Sequence, residues 1–272
     1  MTPRIRTIET RSILTPTKIP RADYAANPYI GCTHACRYCY ACFMKRFTHH
    51  PEPWGGFLDI KYWPPLKNPD RYKGKHIILS TVTDPYPPQE VKFGRTRALL
   101  SELRDSGAII TLLTKSHLVL HDLDLLKQLE HVSVAFSINT LDETFKRQME
   151  VTPPIQARLR AMRELRQAGV HTAVFISPIF PGITDVFAIA DAINGISDEV
   201  WIENLNLRGS HRSEILRFIA KRYPELVPLY HQIYTLKDRS YWQLLAAEFK
   251  TYTARLNLPL INYFYHEEIR QS

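Results

Sequence analysis

The sequence predicts an α/β fold, a partial (β/α)6 barrel of the TIM type, from two patterns. From residue 76 onward, short apolar segments rich in Val, Ile and Phe alternate with amphipathic ones. Gly, Pro, Asn or Asp bounds each apolar segment, which is typical of strands buried on both faces of a parallel sheet. Strand–helix units joined by right-handed crossovers give an open sheet or a barrel, and six units are too few to close an eight-stranded one.

The six strands are predicted where short apolar runs lie between turn residues. The first is expected at about 27–31, immediately before a group of cysteines. The other five are expected at 76–83, 109–115, 132–139, 172–178 and 199–205.

The helices are predicted between and after these strands, at 96–106, 123–130, 142–149, 155–168, 186–193 and 213–221. Asp185 is placed to cap one of them, while Gly107, Gly169 and Gly195 follow helix ends. In 155–168 the apolar residues form one stripe. Four arginines fall away from this stripe and are expected on a solvated face: Arg158, Arg160, Arg163 and Arg166.

The chain is expected to divide into three parts. Residues 1–26 form an N-terminal extension, 27–222 form the barrel, and 223–272 form an aromatic-rich helical extension that packs on the barrel. The last stretch, LPLINYFYHEEIR, is a candidate extra edge strand.

Composition excludes several classes of protein. The 272 residues include 44% apolar side chains, which is enough for a large core and excludes a disordered chain. No apolar run is long enough to cross a membrane, and the N-terminus has no apolar segment of a secretory signal. We therefore expect a cytoplasmic protein without a membrane partner. Its 35 Lys and Arg against 27 Asp and Glu give a net charge of +8, which favours acidic partners weakly.

All four cysteines, Cys32, Cys36, Cys39 and Cys42, lie within eleven residues. Such a group indicates a metal site, because a disulfide framework would spread its cysteines along the chain. The spacing C-x3-C-x2-C follows the first predicted strand, at the rim where βα folds place their sites. Three thiolates can bind three irons of a [4Fe–4S] cube and leave the fourth iron open to another ligand.

A structural zinc ion is the alternative, since four cysteines also satisfy tetrahedral zinc. Structural zinc usually draws its ligands from two separated pairs, and one contiguous quartet joins two elements poorly. We interpret Cys42 as a partly buried thiol in the following helix and not as a ligand.

The cysteine motif, with Tyr38 before its last cysteine, resembles that of the radical S-adenosylmethionine (SAM) superfamily. Four further segments resemble the spore photoproduct lyase-like branch: STVTDPYPPQE, TKSHLVLHDLDLL, VAFSINTLDE and VFISPIFPGITD. The cysteine region and WIENLNLRGS resemble the radical SAM mobile pair protein B group, whose members are encoded beside a second radical SAM protein. The resemblance covers nearly the whole chain. It implies the partial barrel, a [4Fe–4S] cluster, SAM and a 5′-deoxyadenosyl radical.

The resemblance also assigns roles to single residues. Cys32, Cys36 and Cys39 match the cluster ligands, and the Tyr38 backbone matches the position that usually touches the adenine. The expected SAM contacts are Lys115 to the carboxylate, Ser137 and Asn139 to the ribose or methionyl part, and Thr83 as a loose match to the segment that binds the amino group.

One position departs from the lyases. There the second strand carries Cys-Thr-Ser-Asp, whose cysteine returns a hydrogen atom to the repaired thymine, whereas this chain has Thr81 in place of that cysteine. A threonine O–H is a poorer hydrogen-atom donor than a thiol. We therefore do not expect spore photoproduct lyase activity itself.

Three functions stay open on the sequence alone. The first is hydrogen abstraction from an unidentified substrate, with charge and branch favouring a nucleic acid. The second is modification of a peptide or protein together with a second radical SAM protein. The third is a non-catalytic, zinc-containing nucleic-acid-binding protein. Either enzyme needs a reductant such as flavodoxin or ferredoxin.

Two further features have two interpretations each. Glu203 is a carboxylate inside an apolar strand, so it either pairs with an arginine such as Arg208 or faces the substrate. The segment KRFTHHPEPWGG either grips phosphate and stacks a base, or is a rim loop with a solvated basic run; the residues in question are Lys45, Arg46, His49, His50 and Trp54.

Overall fold

The computed structural model describes residues 2–209 and 211–265. Its strands form an eight-stranded sheet and a three-stranded sheet. In chain order the strands are β1 (Arg4–Glu9), β2 (Leu14–Pro16), β3 (Tyr24–Ala26), β4 (Tyr29–Gly31), β5 (Phe57–Tyr62), β6 (His76–Leu79), β7 (Ile109–Thr114), β8 (His131–Ser137), β9 (His171–Ile179), β10 (Glu199–Asn204) and β11 (Leu260–Asn262).

The large sheet has the order β11-β10-β9-β8-β7-β6-β3-β2. Strands β3 and β6 to β10 are mutually parallel neighbours, which confirms the predicted partial barrel of six parallel strands. Ile77, Ile110 and Val134 are fully buried, as expected for parallel strands covered on both faces. At the edges, β2 adds antiparallel to β3 and β11 adds parallel to β10.

The helices follow the predicted order closely. They are α1 (Glu90–Phe93), α2 (Arg95–Leu103), α3 (Leu123–Leu126), α4 (Glu143–Met149), α5 (Ile155–Gln167), α6 (Val186–Ile193), α7 (Arg212–Arg222), α8 (Val227–Tyr234) and α9 (Ser240–Arg255). Asp185 caps α6 by accepting hydrogen bonds from the backbone N–H groups of Phe187 and Ala188, as predicted. Among these described helices, none is both long and apolar enough to cross a membrane.

The predicted position of the first strand is wrong by a few residues. The first parallel strand is β3, Tyr24–Ala26, whereas Tyr29–Gly31 pairs with β5 in the small sheet. The chain leaves the barrel after Ala26, and Gly31, with a φ of +85°, then turns it into the cysteine loop.

The solvated position predicted for Arg158 is also wrong. Its side chain is 1% exposed, while Arg160, Arg163 and Arg166 are exposed as expected. Arg158 is buried because Glu150 supplies a buried counter-charge, a pairing that helical periodicity does not reveal.

The small sheet, β1-β5-β4, was not predicted. Strand β1 runs parallel to β5, and β4 runs antiparallel to it. Phe57, Leu58 and Ile60 of β5 are fully buried. Strands β4 and β5 lie in the crossover from β3 to β6, whereas β1 comes from the N-terminal segment, so the small sheet provides a second support beside the cysteine loop.

The C-terminal helices pack on the barrel. Phe187 of α6 contacts Phe249 and Tyr252 of α9, and Phe249 is fully buried. The expected edge strand is present as β11, while residues 266–270 of that stretch lie outside the described residues.

Candidate active site

The cysteine loop lies between β4 and a 3-10 helix, Tyr40–Phe47. It is joined to the segment after α4 by two backbone hydrogen bonds: Arg37 N–H donates to Met149 O at 2.9 Å, and Val151 N–H donates to His34 O at 2.7 Å. These two hydrogen bonds therefore fix the loop against the end of α4.

Tyr38 points its phenol at a buried carboxylate. The hydroxyl donates a hydrogen bond to Glu150 Oε2, and Glu150 also pairs with Arg158 through Oε1. Tyr38, Glu150 and Arg158 are each at most 6% exposed. The carboxylate thus holds the ring of the residue that lies between Cys36 and Cys39.

Lys115 and Ser137 lie together, as the sequence predicts for the ends of neighbouring strands. Lys115 Nζ donates to Ser137 Oγ at 2.5 Å and lies 3.5 Å from Glu150 Oε2. The same ammonium lies 5.5 Å from the centre of the Tyr38 ring. Three of the five predicted SAM contacts therefore lie around one buried carboxylate.

Thr83 contacts the residue that leads into the cysteine loop. Its hydroxyl donates to Gly31 O at 2.5 Å, next to Cys32. The neighbouring Asp84 is buried and accepts from Lys115 N–H at 2.8 Å, while His34 Nε2 lies 3.3 Å away. Burial alone would raise the pKa of Asp84, but His34 and these backbone donors bring that pKa below its usual value.

Asn139 follows β8 and is buried. Its backbone carbonyl accepts from Thr184 Oγ1 at 2.9 Å, whereas its side-chain Nδ2 finds no hydrogen-bond partner among the residues that the structure describes. A buried amide donor of this kind is costly unless a ligand accepts from it.

Cys42 lies beyond the motif, inside the 3-10 helix. Its Sγ is 3.8 Å from His211 Nδ1, and His211 Nε2 is 2.9 Å from the carbonyl of Asn206. Because Nε2 donates to that carbonyl, Nδ1 is the acceptor that faces the thiol.

The remaining candidates have contacts of their own. Glu203 accepts a hydrogen bond from Ser177 Oγ on β9. In the segment KRFTHHPEPWGG, His50 is buried between two carboxylates, and the Trp54 indole N–H donates to Cys39 Sγ. The buried His50 ring is not available to stack a base, so that part of the interpretation is wrong, whereas Trp54 is half-buried and its role toward a base stays a prediction.

Comparison with known proteins places this geometry in a family. The family model for the Radical SAM superfamily matches residues 26–188. The chain belongs to the radical SAM superfamily. An uncharacterised protein of Methanocaldococcus jannaschii is 36% identical over 223 residues, covering 80% of this chain and 83% of that protein. An uncharacterised protein of Mycobacterium tuberculosis is 31% identical over 242 residues, covering 80% of this chain and 70% of that protein.

Two kinds of solved structure share the fold. Spore photoproduct lyase with bound AdoMet and dinucleoside spore photoproduct gives a TM-score of 0.58 at 18% identity, covering 81% of this chain and 66% of that one. SuiB of Streptococcus suis bound to S-adenosylmethionine gives a TM-score of 0.59 at 12% identity, covering 96% of this chain and 50% of SuiB. The chain thus spans slightly less than two thirds of the lyase and half of SuiB. These likenesses establish the radical SAM fold.

As a radical SAM enzyme, the protein takes a [4Fe–4S] cluster and SAM as cofactors, and its thiols fit the cluster. Burial raises the pKa of Cys32, Cys36 and Cys39; Cys39 adds to the rise in Cys32 and Cys36, and Cys32 adds to the rise in Cys36. The Lys115 ammonium opposes that rise in all three, so it lies near each of them. Buried thiols become thiolates when a metal centre supplies the compensating charge.

Within residues 2–209 and 211–265, no three His, Cys, Asp or Glu side chains are grouped closely enough to hold one metal ion. Ligands of one ion crowd around a single centre, whereas the three cysteines of a cube each bind a different iron.

Sequence reasoning missed Glu150 and assigned Trp54 a different role. Glu150 directly follows α4 in a stretch that looks like a polar helix end, and Trp54 lies in a segment of the crossover that we interpreted for phosphate and base binding. No sequence motif predicts these contacts, because Glu150 is 112 positions from Tyr38 and Trp54 is 15 positions from Cys39.

Proposed function

We propose that this radical SAM enzyme reductively cleaves SAM to a 5′-deoxyadenosyl radical and abstracts a hydrogen atom from a nucleic-acid substrate. Superfamily membership supports the radical chemistry. The substrate class rests on one observation, a cavity of about 450 Å³ beside the cysteine loop. It is lined by Tyr40, Cys42, Phe43, Arg46, Asn206, Arg208 and Gly209.

The cavity lining combines aromatic rings with guanidinium groups. Phe43 in the lining is 42% exposed, and Phe47, which lies outside the lining but next to Arg46 in sequence, is 65% exposed. The Arg46 guanidinium lies 4.6 Å from the centre of the Phe47 ring and 5.6 Å from that of Phe43. Exposed rings that stack bases, beside cations that meet phosphates, are typical of single-stranded nucleic-acid binding.

The cavity lies next to the cysteine loop. Tyr40 directly follows Cys39 and donates a hydrogen bond to the carbonyl of Thr81, at the end of the second barrel strand. A substrate in the cavity would therefore reach the mouth of the barrel. The +8 net charge favours the same class of substrate.

For the cofactors, we propose the following division of work. Cys32, Cys36 and Cys39 would hold the cluster, which would supply an open iron for SAM and the electron for reductive cleavage of its sulfur–C5′ bond. Lys115 binds the SAM carboxylate, and its position is fixed by Glu150 and Ser137. Ser137 and the unpaired Asn139 Nδ2 bind the ribose or methionyl part, Thr83 lies by the amino group, and the Tyr38 backbone touches the adenine.

A radical SAM enzyme needs a low-potential electron donor. We propose flavodoxin or ferredoxin for this role. A second radical SAM protein is the further partner that we propose from the likeness to the mobile pair group.

Fluorescence anisotropy with labelled single-stranded DNA and RNA tests the substrate class. We expect binding that weakens steeply between about 50 and 200 mM salt. Phe47→Ala should weaken it about tenfold, because one stacked base contributes roughly 1–3 kcal/mol. Tyr62→Ala is the matched control, since Tyr62 is 40% exposed and carries the Arg95 guanidinium 4.4 Å from its ring centre.

Equal losses in Phe47→Ala and Tyr62→Ala, or no binding to either nucleic acid, would contradict this substrate class. The radical chemistry would then stand, and a peptide substrate would be the hypothesis to test next.

A further inference from the structure

One cluster cysteine receives a hydrogen bond from a side chain outside the motif. Trp54 Nε1 lies 3.3 Å from Cys39 Sγ, with its N–H directed at the sulfur. Cys36 faces a carboxylate instead, since Glu150 Oε2 lies 3.8 Å from its Sγ.

The indole is held by a stack of rings on the small sheet. Trp54 packs edge-on against Phe57, with 5.7 Å between ring centres and 87° between planes. Phe57 stacks face to face on His50 at 3.9 Å. The two nitrogens of His50 lie 3.0 Å from Glu52 Oε2 and 2.8 Å from Asp59 Oδ1. Both ends of the stack are therefore fixed.

The segment that carries Trp54 lies in van der Waals contact with the cysteine loop. A Cβ added to Gly55 would be 2.7 Å from the Cβ of Ala35, inside the motif. A Cβ added to Gly31 would be 2.5 Å from the carbonyl oxygen of Phe57. Contacts this close require glycine at both positions, so the indole donor is fixed relative to Cys39.

We propose that Trp54 sets the reduction potential of the cluster through this hydrogen bond. On reduction, negative charge accumulates on the cluster and its thiolate sulfurs. An N–H donor stabilises the reduced form more than the oxidised form, which raises the potential. Trp54 is thus a positioning and tuning residue, and the inference depends on the cluster of the proposed function.

An EPR-monitored redox titration of anaerobically reconstituted protein tests the proposal. Trp54→Phe keeps an aromatic ring but has no N–H, so we expect unchanged iron and sulfide content and a more negative midpoint potential. Trp63→Phe is the control, because the Trp63 indole N–H donates to Glu102 at 3.1 Å and not to a cysteine. The cluster of this variant should have the midpoint potential of the wild type. An intact cluster with wild-type potential in Trp54→Phe would overturn the proposal.

A second measurement covers a Trp54→Phe protein that fails to take up a cluster. The wild type is labelled with ¹⁵N in its tryptophan indoles, and the reduced cluster is examined by pulsed EPR. A ¹⁵N coupling that persists in labelled Trp63→Phe supports the contact between the Trp54 indole and the cluster. If the wild type binds a cluster but shows no ¹⁵N coupling, the tuning role of Trp54 is overturned and the cluster assignment stands. If the wild type binds no cluster, both the tuning role and the cluster assignment are overturned.

Discussion

The Tyr38 hydroxyl donates a hydrogen bond to Glu150, a carboxylate that is 112 residues away in sequence and 4% exposed. Burial alone would raise the pKa of Glu150, but the charges of Lys115 and Arg158 bring it well below its usual value. One ionised carboxylate therefore connects the cluster loop, the lysine that we assign to SAM, and helix α5.

Replacing Glu150 with Gln should destabilise the protein by about 3 kcal/mol, because the buried Arg158 loses its counter-charge. Urea unfolding measures the change. Glu130→Gln is the control. That carboxylate is exposed, and its one ion-pair partner among the described residues is an exposed His131 nitrogen 3.7 Å away, so the free energy of unfolding should hardly change. A loss below about 1 kcal/mol for Glu150→Gln would show that Arg158 is compensated by other groups.

Replacing Lys115 with Ala should weaken SAM binding about tenfold or more without reducing cluster content. A hydrogen bond to a charged group contributes roughly 1.5–3 kcal/mol, and about 1.4 kcal/mol corresponds to a factor of ten. Equilibrium dialysis with labelled SAM provides the affinity. Lys127→Ala removes an exposed lysine and should leave it unchanged. If Lys115→Ala binds SAM normally, the lysine lies outside the SAM site.

Replacing Cys42 with Ala should leave iron and sulfide content intact, because three cysteines are expected to hold the cluster and Cys42 lies beside His211. Replacing Cys36 with Ala should abolish the cluster. Visible absorbance and iron analysis after anaerobic reconstitution distinguish the two. A Cys42→Ala protein that loses its cluster would make Cys42 a ligand.

Replacing Gly31 with Ala should destabilise the protein more than replacing Gly169. The two glycines have φ values of +85° and +82°, so either alanine costs about 1 kcal/mol of backbone strain. Only at Gly31 does the new Cβ meet a backbone oxygen, at 2.5 Å, whereas nothing lies within 4 Å at Gly169. We expect a further loss of about 1–3 kcal/mol, measured by urea unfolding. Equal losses of unfolding free energy in the two variants would mean that Phe57 and its strand move away from the new Cβ without a measurable loss of stability.

The barrel was predictable because its signals are local. Strand β9 and helix α6 lie within a few residues of their predicted positions, since apolar runs and a capping Asp185 mark them directly. Lys115 and Ser137, both assigned to SAM by resemblance, lie in contact because they stand at the carboxyl ends of neighbouring parallel strands, while their role toward SAM stays a prediction.

The rest of the site depends on contacts distant in sequence. Arg158 has the spacing of a solvated residue, and only the folded chain brings Glu150 to it. The first strand was misplaced because Tyr29–Gly31 is as apolar as Tyr24–Ala26, and pairing with β5 decides between them. Trp54 reaches Cys39 through a sheet that the sequence did not predict.

The most direct test of the account is the formation of 5′-deoxyadenosine. Protein reconstituted anaerobically with iron and sulfide is given SAM and dithionite, and the product is quantified by mass spectrometry beside a Cys36→Ala control. We predict 5′-deoxyadenosine from the wild type and none from Cys36→Ala. A wild type that carries an intact cluster and binds SAM, yet forms no more 5′-deoxyadenosine than the control, would contradict the account.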